Sequence, residues 1–230
     1  MTPERVLAVG AHPDDCEFFA GATLAALAAE GARVVLAVCT DGARSRGGDT
    51  GLVARRRAEA ERAAERIGAA ELVMLGYPDG GLRDDDALIA DLVREIRRVR
   101  PLLALGHDPR TFWTHVGDRV HPGHTDHRAA GRGLLAAVYP RAPSDAFFPE
   151  QLAAGLAPWW VPELWLFDTD EPDLHRDVEA TLDAKREALA CHESQNPRGA
   201  LLRAADAFAA ASRERHGFAA EALRRLPLRP

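Results

Sequence analysis

Two clusters of histidine and aspartate could do chemistry in this chain. His12-Pro13-Asp14-Asp15 follows directly on the apolar run 6–11, placing one imidazole and two carboxylates at the mouth of a buried strand. His124-Thr125-Asp126-His127 lies more than a hundred residues later and supplies further imidazoles. A catalytic zinc typically keeps three protein ligands, mixing imidazole and carboxylate, and leaves one position open for a water whose pKa falls to about 7. His12 and Asp15, three apart across a tight turn, can converge on one ion, and one later histidine completes a His/Asp/His set. Asp14 is then left beside the metal, where a carboxylate can take a proton. His124 and His127 are also three apart, so at a helix start both can face one way. Asp126 can cap that helix or bond an imidazole N–H. His107, His115 and His121 are near enough to compete, and His121 to His124 repeats the spacing, so spacing alone leaves the third ligand open.

Each cluster alone has an ordinary explanation. A single histidine at a strand end is usually a hydrogen-bonded loop residue, and paired aspartates are commonly a turn plus a helix cap. One cluster after a strand and the other before a helix is the combination a hydrolytic metal centre requires.

The elements that must position these residues follow from the apolar runs. Residues 6–9, 34–38, 72–75 and 102–105 are short, rich in branched side chains and apolar on both faces, as strands covered on two sides must be. Helical spacing fills the stretches 22–29, 52–67 and 87–99, so the pattern predicts βαβαβαβ and a parallel sheet with right-handed crossovers. A further strand at 164–167 and helices over 128–138, 178–190 and 200–213 complete an α/β, Rossmann-like fold, its mainly parallel sheet flanked by helices. In such a sheet ligands bind beyond the carboxyl ends of the strands. The loops there are polar: His12 to Asp15, then Thr40-Asp41-Gly42, Gly76-Tyr77-Pro78-Asp79-Gly80 and His107-Asp108-Pro109. The glycine-rich stretch 43–51 is expected to cover the site as a lid. A dinucleotide reading fails at the first turn, where Gly10-Ala11-His12-Pro13-Asp14-Asp15 replaces G-x-G-x-x-G and sets two carboxylates where a pyrophosphate would sit.

Composition narrows the function classes. The chain has 230 residues, 47% of them hydrophobic, which suits one domain spanning residues 1–230. The formal net charge of -6 and the lack of any long Lys/Arg block argue against nucleic-acid and membrane partners. Three widely spaced cysteines, Cys16, Cys39 and Cys191, do not make a disulfide framework and point to a reducing, cytoplasmic setting. The N-terminal pattern fits neither a signal peptide nor a membrane span. A homo-oligomer is compatible with this composition.

These residues together resemble the PIG-L/LmbE-like zinc N-deacetylases. The resemblance rests on Ala11-His12-Pro13-Asp14-Asp15-Cys16-Glu17, Cys39-Thr40-Asp41-Gly42, Leu75-Gly76-Tyr77-Pro78-Asp79-Gly80 and His124-Thr125-Asp126-His127-Arg128-Ala129-Ala130-Gly131, and it extends from Val6 to about Gln195. It implies a hydrolase that removes acetyl from an N-acetylglucosamine-type small molecule or glycoconjugate. It further implies His12, Asp15 and His127 as zinc ligands, Asp14 as general base, His124 as the group that stabilises the oxyanion or protonates the leaving amine, and Asp126 as the residue that orients His124. Another divalent ion could replace zinc. The family's His-Pro-Asp-His here reads His-Thr-Asp-His; the alternative frame ending at His124 would put Gly123 where the aspartate belongs. The tyrosine some relatives use near Pro122 has no counterpart there. Arg56 and Asp79 are carried as sugar-binding residues, against the plainer readings of a solvated Arg56–Glu59 pair and a Pro-Asp-Gly turn. An amidase acting on thiol conjugates or other N-acyl amines, and a non-catalytic metal- or sugar-binding protein, are the alternatives.

Overall fold

The computed structural model describes residues 2–44, 51–116 and 119–229. Most of the expected lid, residues 45–50, lies outside them, as do the side chains of His115 and His121. The chain runs β1 (Arg5–Gly10), α1 (Asp15–Ala29), β2 (Arg33–Thr40), α2 (Leu52–Arg66), β3 (Glu71–Tyr77), α3 (Asp86–Val99) and β4 (Leu103–His107). A hairpin follows, β5 (Trp113–Val116) and β6 (Arg119–Pro122), then α4 (Thr125–Ala136) and the short α5 (Pro149–Ala153). The remainder is β7 (Glu163–Phe167), β8 (Leu174–Asp177), α6 (Leu182–Cys191), α7 (Ala200–His216) and β9 (Ala220–Pro227).

The main sheet has the order β3-β2-β1-β4-β7-β9-β8. Its first five strands are parallel, while β9 runs antiparallel to both β7 and β8. The connection from β1 goes to β2 on one side, and the chain later crosses to place β4 on the other. Strand order therefore reverses between β1 and β4, which opens a crevice at their carboxyl ends. His12 to Asp15 sit at the end of β1, and His107 is the last residue of β4.

Both faces of the sheet are covered, which explains why the strands are apolar throughout. Leu7, Val9, Val35 and Ala37 face a layer built by Leu88, Leu92 and Ile96 of α3 and Leu134 of α4. Val6, Ala8, Val34 and Leu36 face Leu24 and Leu27 of α1, Ala63 of α2 and Ala188 of α6.

Two features depart from the sequence expectation. The hairpin β5–β6 and the antiparallel pair β8–β9 were not foreseen, because the β9 sequence AEALRRLP has helix-forming composition and becomes a strand only through pairing with β7 and β8. Helix α1 begins at Asp15 rather than at residue 22, so Asp14 is its cap.

Helix α4 approaches β4 closely through Gly131, where an added Cβ would lie 2.5 Å from the His107 carbonyl oxygen and 3.1 Å from Pro109 N. This contact sets the start of α4, with His124 and His127, over the end of β4. Gly131→Ala is expected to cost about 1–3 kcal/mol through backbone overpacking, read as a lower urea midpoint at unchanged m value.

Candidate metal centre

The first cluster is shaped by a strained turn. Asp14 has φ 139° and ψ -18°, a region unfavourable for any residue but glycine. Asp15 Oδ2 accepts the His12 main-chain N–H at 2.7 Å, and Phe18 N donates to Asp14 O at 2.8 Å, so the turn leads straight into α1. The two adjacent carboxylates thereby take different neighbours: Asp14 lies against Arg56, with Oδ1 3.3 Å from Nη2, and Asp15 lies among imidazoles.

Asp15 is the hub of that second group. Its Oδ2 is 3.4 Å from His12 Nδ1 and 3.0 Å from His107 Nε2, and its Oδ1 is 3.3 Å from His127 Nε2. His127 Nδ1 donates to Asp168 Oδ2 at 3.1 Å, which leaves Nε2 facing Asp15. His12 Nε2 stands 3.3 Å from Asp79 Oδ1 and 3.4 Å from Asp126 Oδ2, yet it is buried with no hydrogen-bond partner.

Three groups of described residues have donor atoms all within 4.8 Å: His12/His124/His127, Asp15/His107/His127 and His12/Asp79/Asp126. The predicted ligands His12, Asp15 and His127 are distributed over the first two rather than forming one of them. The residues nonetheless fit a divalent cation. A buried, unpartnered imidazole nitrogen faces carboxylates, and mixed imidazole and carboxylate donors suit zinc and its neighbours. The electrostatics agree. Burial opposes charge on His12, but Asp126, Asp15 and Asp79 outweigh it and push its pKa up to about 12. Burial likewise opposes charge on His127, which Asp15 and Asp168 raise to about 9.

The remaining predicted residues take definite places. Burial, with Asp15 adding to it and Arg56 opposing, raises Asp14 to about 6, near the value a general base needs. His124 is exposed at the N-terminus of α4, and its Nδ1 accepts the Asp126 N–H at 3.1 Å; this leaves Nε2 to carry the proton. Burial and the nearby His12 and His127 lower its pKa. The Asp126 carboxylate accepts from Gly80 N at 2.7 Å and Leu82 N at 3.3 Å, so it ties the β3–α3 loop to His12. Its hydrogen bond to His124 comes from the main chain.

Arg56 is not on a solvated helix face. It is 3% exposed, donates to Gly42 O at 3.1 Å and Pro13 O at 2.9 Å, and leaves Glu59 to hold Ser194 N and Oγ at 2.9 and 2.6 Å. Gly42, at φ 66°, is required there, since a Cβ would fall 2.7 Å from the guanidinium. Asp79 is buried, accepts Arg44 N at 2.9 Å, and is held near 2 chiefly by its contact with His12. Sequence reasoning named His107 only as a rival and missed Asp168. Both sit at strand ends, His107 closing β4 and Asp168 following β7, the same signal that exposed His12.

A sheet crevice filled with imidazoles and carboxylates at the β1/β4 reversal defines an enzyme of the hydrolase class, not a dinucleotide binder. The family model described as GlcNAc-PI de-N-acetylase (PIG-L) matches residues 7–138, and the chain belongs to this family. It is 32% identical over 201 residues to a diacetylchitobiose deacetylase of Thermococcus kodakarensis, covering 84% of this chain and 71% of that one. It is 32% identical over 200 residues to a probable N-acetyl-alpha-D-glucosaminyl L-malate deacetylase of Bacillus cereus, covering 83% of each. The solved N,N'-diacetylchitobiose deacetylase of Pyrococcus horikoshii superposes with a TM-score of 0.85 at 25% identity, over 98% of this chain and 84% of that chain.

Asp168 touches no predicted ligand donor face, yet it fixes the tautomer of His127. Asp168→Asn should therefore weaken divalent-metal affinity about 10- to 100-fold, measured by chelator competition.

Proposed function

We propose that this chain is a zinc-dependent N-deacetylase acting on an N-acetylglucosamine-type small molecule, with His12, Asp15 and His127 as ligands. The observation that carries this reading is the division between the two adjacent aspartates: Asp15 among imidazoles, Asp14 outside them with its pKa raised to about 6. A mere binder of metal or sugar has no use for the second. When bound, zinc supplies Lewis acidity at the acetamide carbonyl and acidifies a water. Arg56 stabilises Asp14 in its ionised form, Asp14 takes the proton of the attacking water and becomes neutral, and it can then return the proton toward the departing amine. His124 donates from Nε2 to the oxyanion as the tetrahedral centre forms. The products are acetate and a free amino sugar.

On this reading residues 1–230 act as one catalytic domain on a small molecule in a reducing cytoplasm. The free Cys16, Cys39 and Cys191 are in keeping with that setting, and no helix among the described residues is long and apolar enough to cross a membrane. Arg56 serves the sugar indirectly, through Asp14 and the Gly42 loop, and Asp79 through His12.

Acetate release from N-acetylglucosamine and diacetylchitobiose should require the metal, stopping with chelator and returning with zinc. Cleavage of larger thiol conjugates in preference to these acetamides would replace the deacetylase reading by the amidase one, and no turnover of any N-acyl substrate by the zinc-loaded protein would leave only binding.

Asp14→Asn should retain zinc and lose on the order of a hundredfold or more in kcat. Wild-type turnover in that variant would show that the base lies elsewhere.

The pH profile follows from the sign of the shift. A base works unprotonated, so kcat/KM should be full above the Asp14 pKa and fall tenfold per unit below it. The limb should lie at or below about 6, because a bound cation can only lower that value.

A further inference from the structure

We propose that His192 is a positioning residue for Asp14, holding α1 through Glu17 while the neighbouring Ser194 holds α2 through Glu59. The inference rests on Asp14 as the base proposed above and concerns what keeps that carboxylate in place. Asp14 and its partner Arg56 stand on different elements, the first capping α1 and the second in the opening turns of α2. The placement of one helix against the other therefore decides whether they meet. Each has an acid three positions further on, Glu17 after Asp14 and Glu59 after Arg56, and both acids are 2% exposed. One short segment beyond α6 meets both. Glu17 Oε1 lies 3.7 Å from His192 Nε2, and Glu59 accepts Ser194 N at 2.9 Å and Ser194 Oγ at 2.6 Å. Residues 192–194 thus bridge the first turn of α1 to the buried face of α2, directly behind the contact between Asp14 and Arg56. The helix that presents this segment is itself fastened to α1. Lys185 Nζ donates to Glu221 Oε1 at 2.6 Å, and the same carboxylate accepts Ala22 N at 3.1 Å and Thr23 N at 2.7 Å.

The surroundings of His192 supply an independent reason. The residue is fully buried, and neither ring nitrogen has a hydrogen-bond partner. A neutral imidazole so placed leaves polar groups unpaired, and an apolar side chain would fill the space without that cost. As an imidazolium it stands in the field of two carboxylates. Burial opposes its charge, but Glu17 and Asp14 outweigh burial and raise its pKa. The φ of 139° at Asp14 persists only where surrounding contacts over-determine it, and the bridge to α2 is one such contact. Asp15 is held separately, by the His12 N–H at 2.7 Å. Loosening the bridge should therefore move the base and leave the ligand.

The test separates position from metal binding. Acetate release from diacetylchitobiose, zinc affinity by chelator competition, and amide hydrogen exchange over residues 14–18 are measured on the full zinc-loaded chain. The variants are His192→Ala, Glu17→Gln, their double variant and Ser194→Ala. His192→Ala should lower kcat about 10- to 100-fold, the effect of roughly an ångström of misplacement, with KM and zinc affinity within about threefold of wild type. Glu17→Gln should do the same, and the double variant should lose no more than about threefold beyond the worse single, because both substitutions break one contact. Exchange of the Phe18 N–H, which donates to Asp14 O, should quicken at least about tenfold in each. Ser194→Ala releases the α2 end and should lower kcat in the same way, so it carries the test if His192→Ala does not fold. Wild-type kcat, unchanged Phe18 exchange, a loss expressed in KM or zinc affinity, or losses that multiply in the double variant would overturn the proposal. If wild type cleaves no acetamide while exchange quickens as expected, the deacetylase reading falls and the bridge stands.

Discussion

One buried carboxylate organises the centre. Asp15 sits where strand order reverses, and imidazoles from three parts of the chain reach its two oxygens: His12 from the β1 loop, His107 from the end of β4 and His127 from the first turn of α4. An isolated carboxylate with 6% exposure would be protonated or expelled. Here the imidazoles hold it well below the ordinary carboxylate range despite burial. The charge is affordable only because the three elements meet there. The approach of α4 through Gly131 and the sheet order are therefore conditions for the site, not a neutral scaffold beneath it.

The strain at Asp14 belongs to the same constraint. A relaxed turn would continue the strand into the helix without separating neighbouring side chains. The positive φ places Asp14 beside Arg56 while Asp15 turns among the histidines. A cost on the order of 1–3 kcal/mol is small against what two like charges would lose by sharing one environment. Two carboxylates of identical chemistry are thereby driven in opposite directions, one well below its usual value and one up to about 6. Such a divergence between adjacent acids is the mark of divided roles.

The parallel half of the fold and the gathering of polar residues at its strand ends were legible because each rests on a local signal: uninterrupted branched runs for β1, β2, β3 and β4, and polar residues immediately after them. Asp168 obeyed the same rule but was hidden behind β7, whose following loop reads as an ordinary acidic turn. β9 could not be read, since its alternating Ala, Leu and Arg carry no strand propensity and the pairing with β7 and β8 decides its state. For Arg56 the sequence left a sugar-binding role against a solvated pair with Glu59, because a run of three arginines looks uniform in sequence, and its burial removes the second reading. Only tertiary structure shows that Arg56 alone turns inward, where Gly42 leaves space for it.

That inward turn changes what the arginine can do. A guanidinium offers five N–H groups, and two carbonyls, those of Gly42 and Pro13, already engage its Nη atoms together with the Asp14 carboxylate. Such a group is poorly placed to take a bidentate grip on a sugar hydroxyl or phosphate. What it does instead is join the loops after β1 and β2 to the Asp14 carboxylate, so that the position and the charge of Asp14 depend on both. Recognition of the substrate beyond its acetamide is then left to groups that remain exposed. Among the predicted residues His124 is the exposed one, and its ring lies edge-on to His12, with centroids 4.6 Å apart. The α2 side of the crevice is thus engaged in holding Asp14, while the α4 side presents an exposed imidazole.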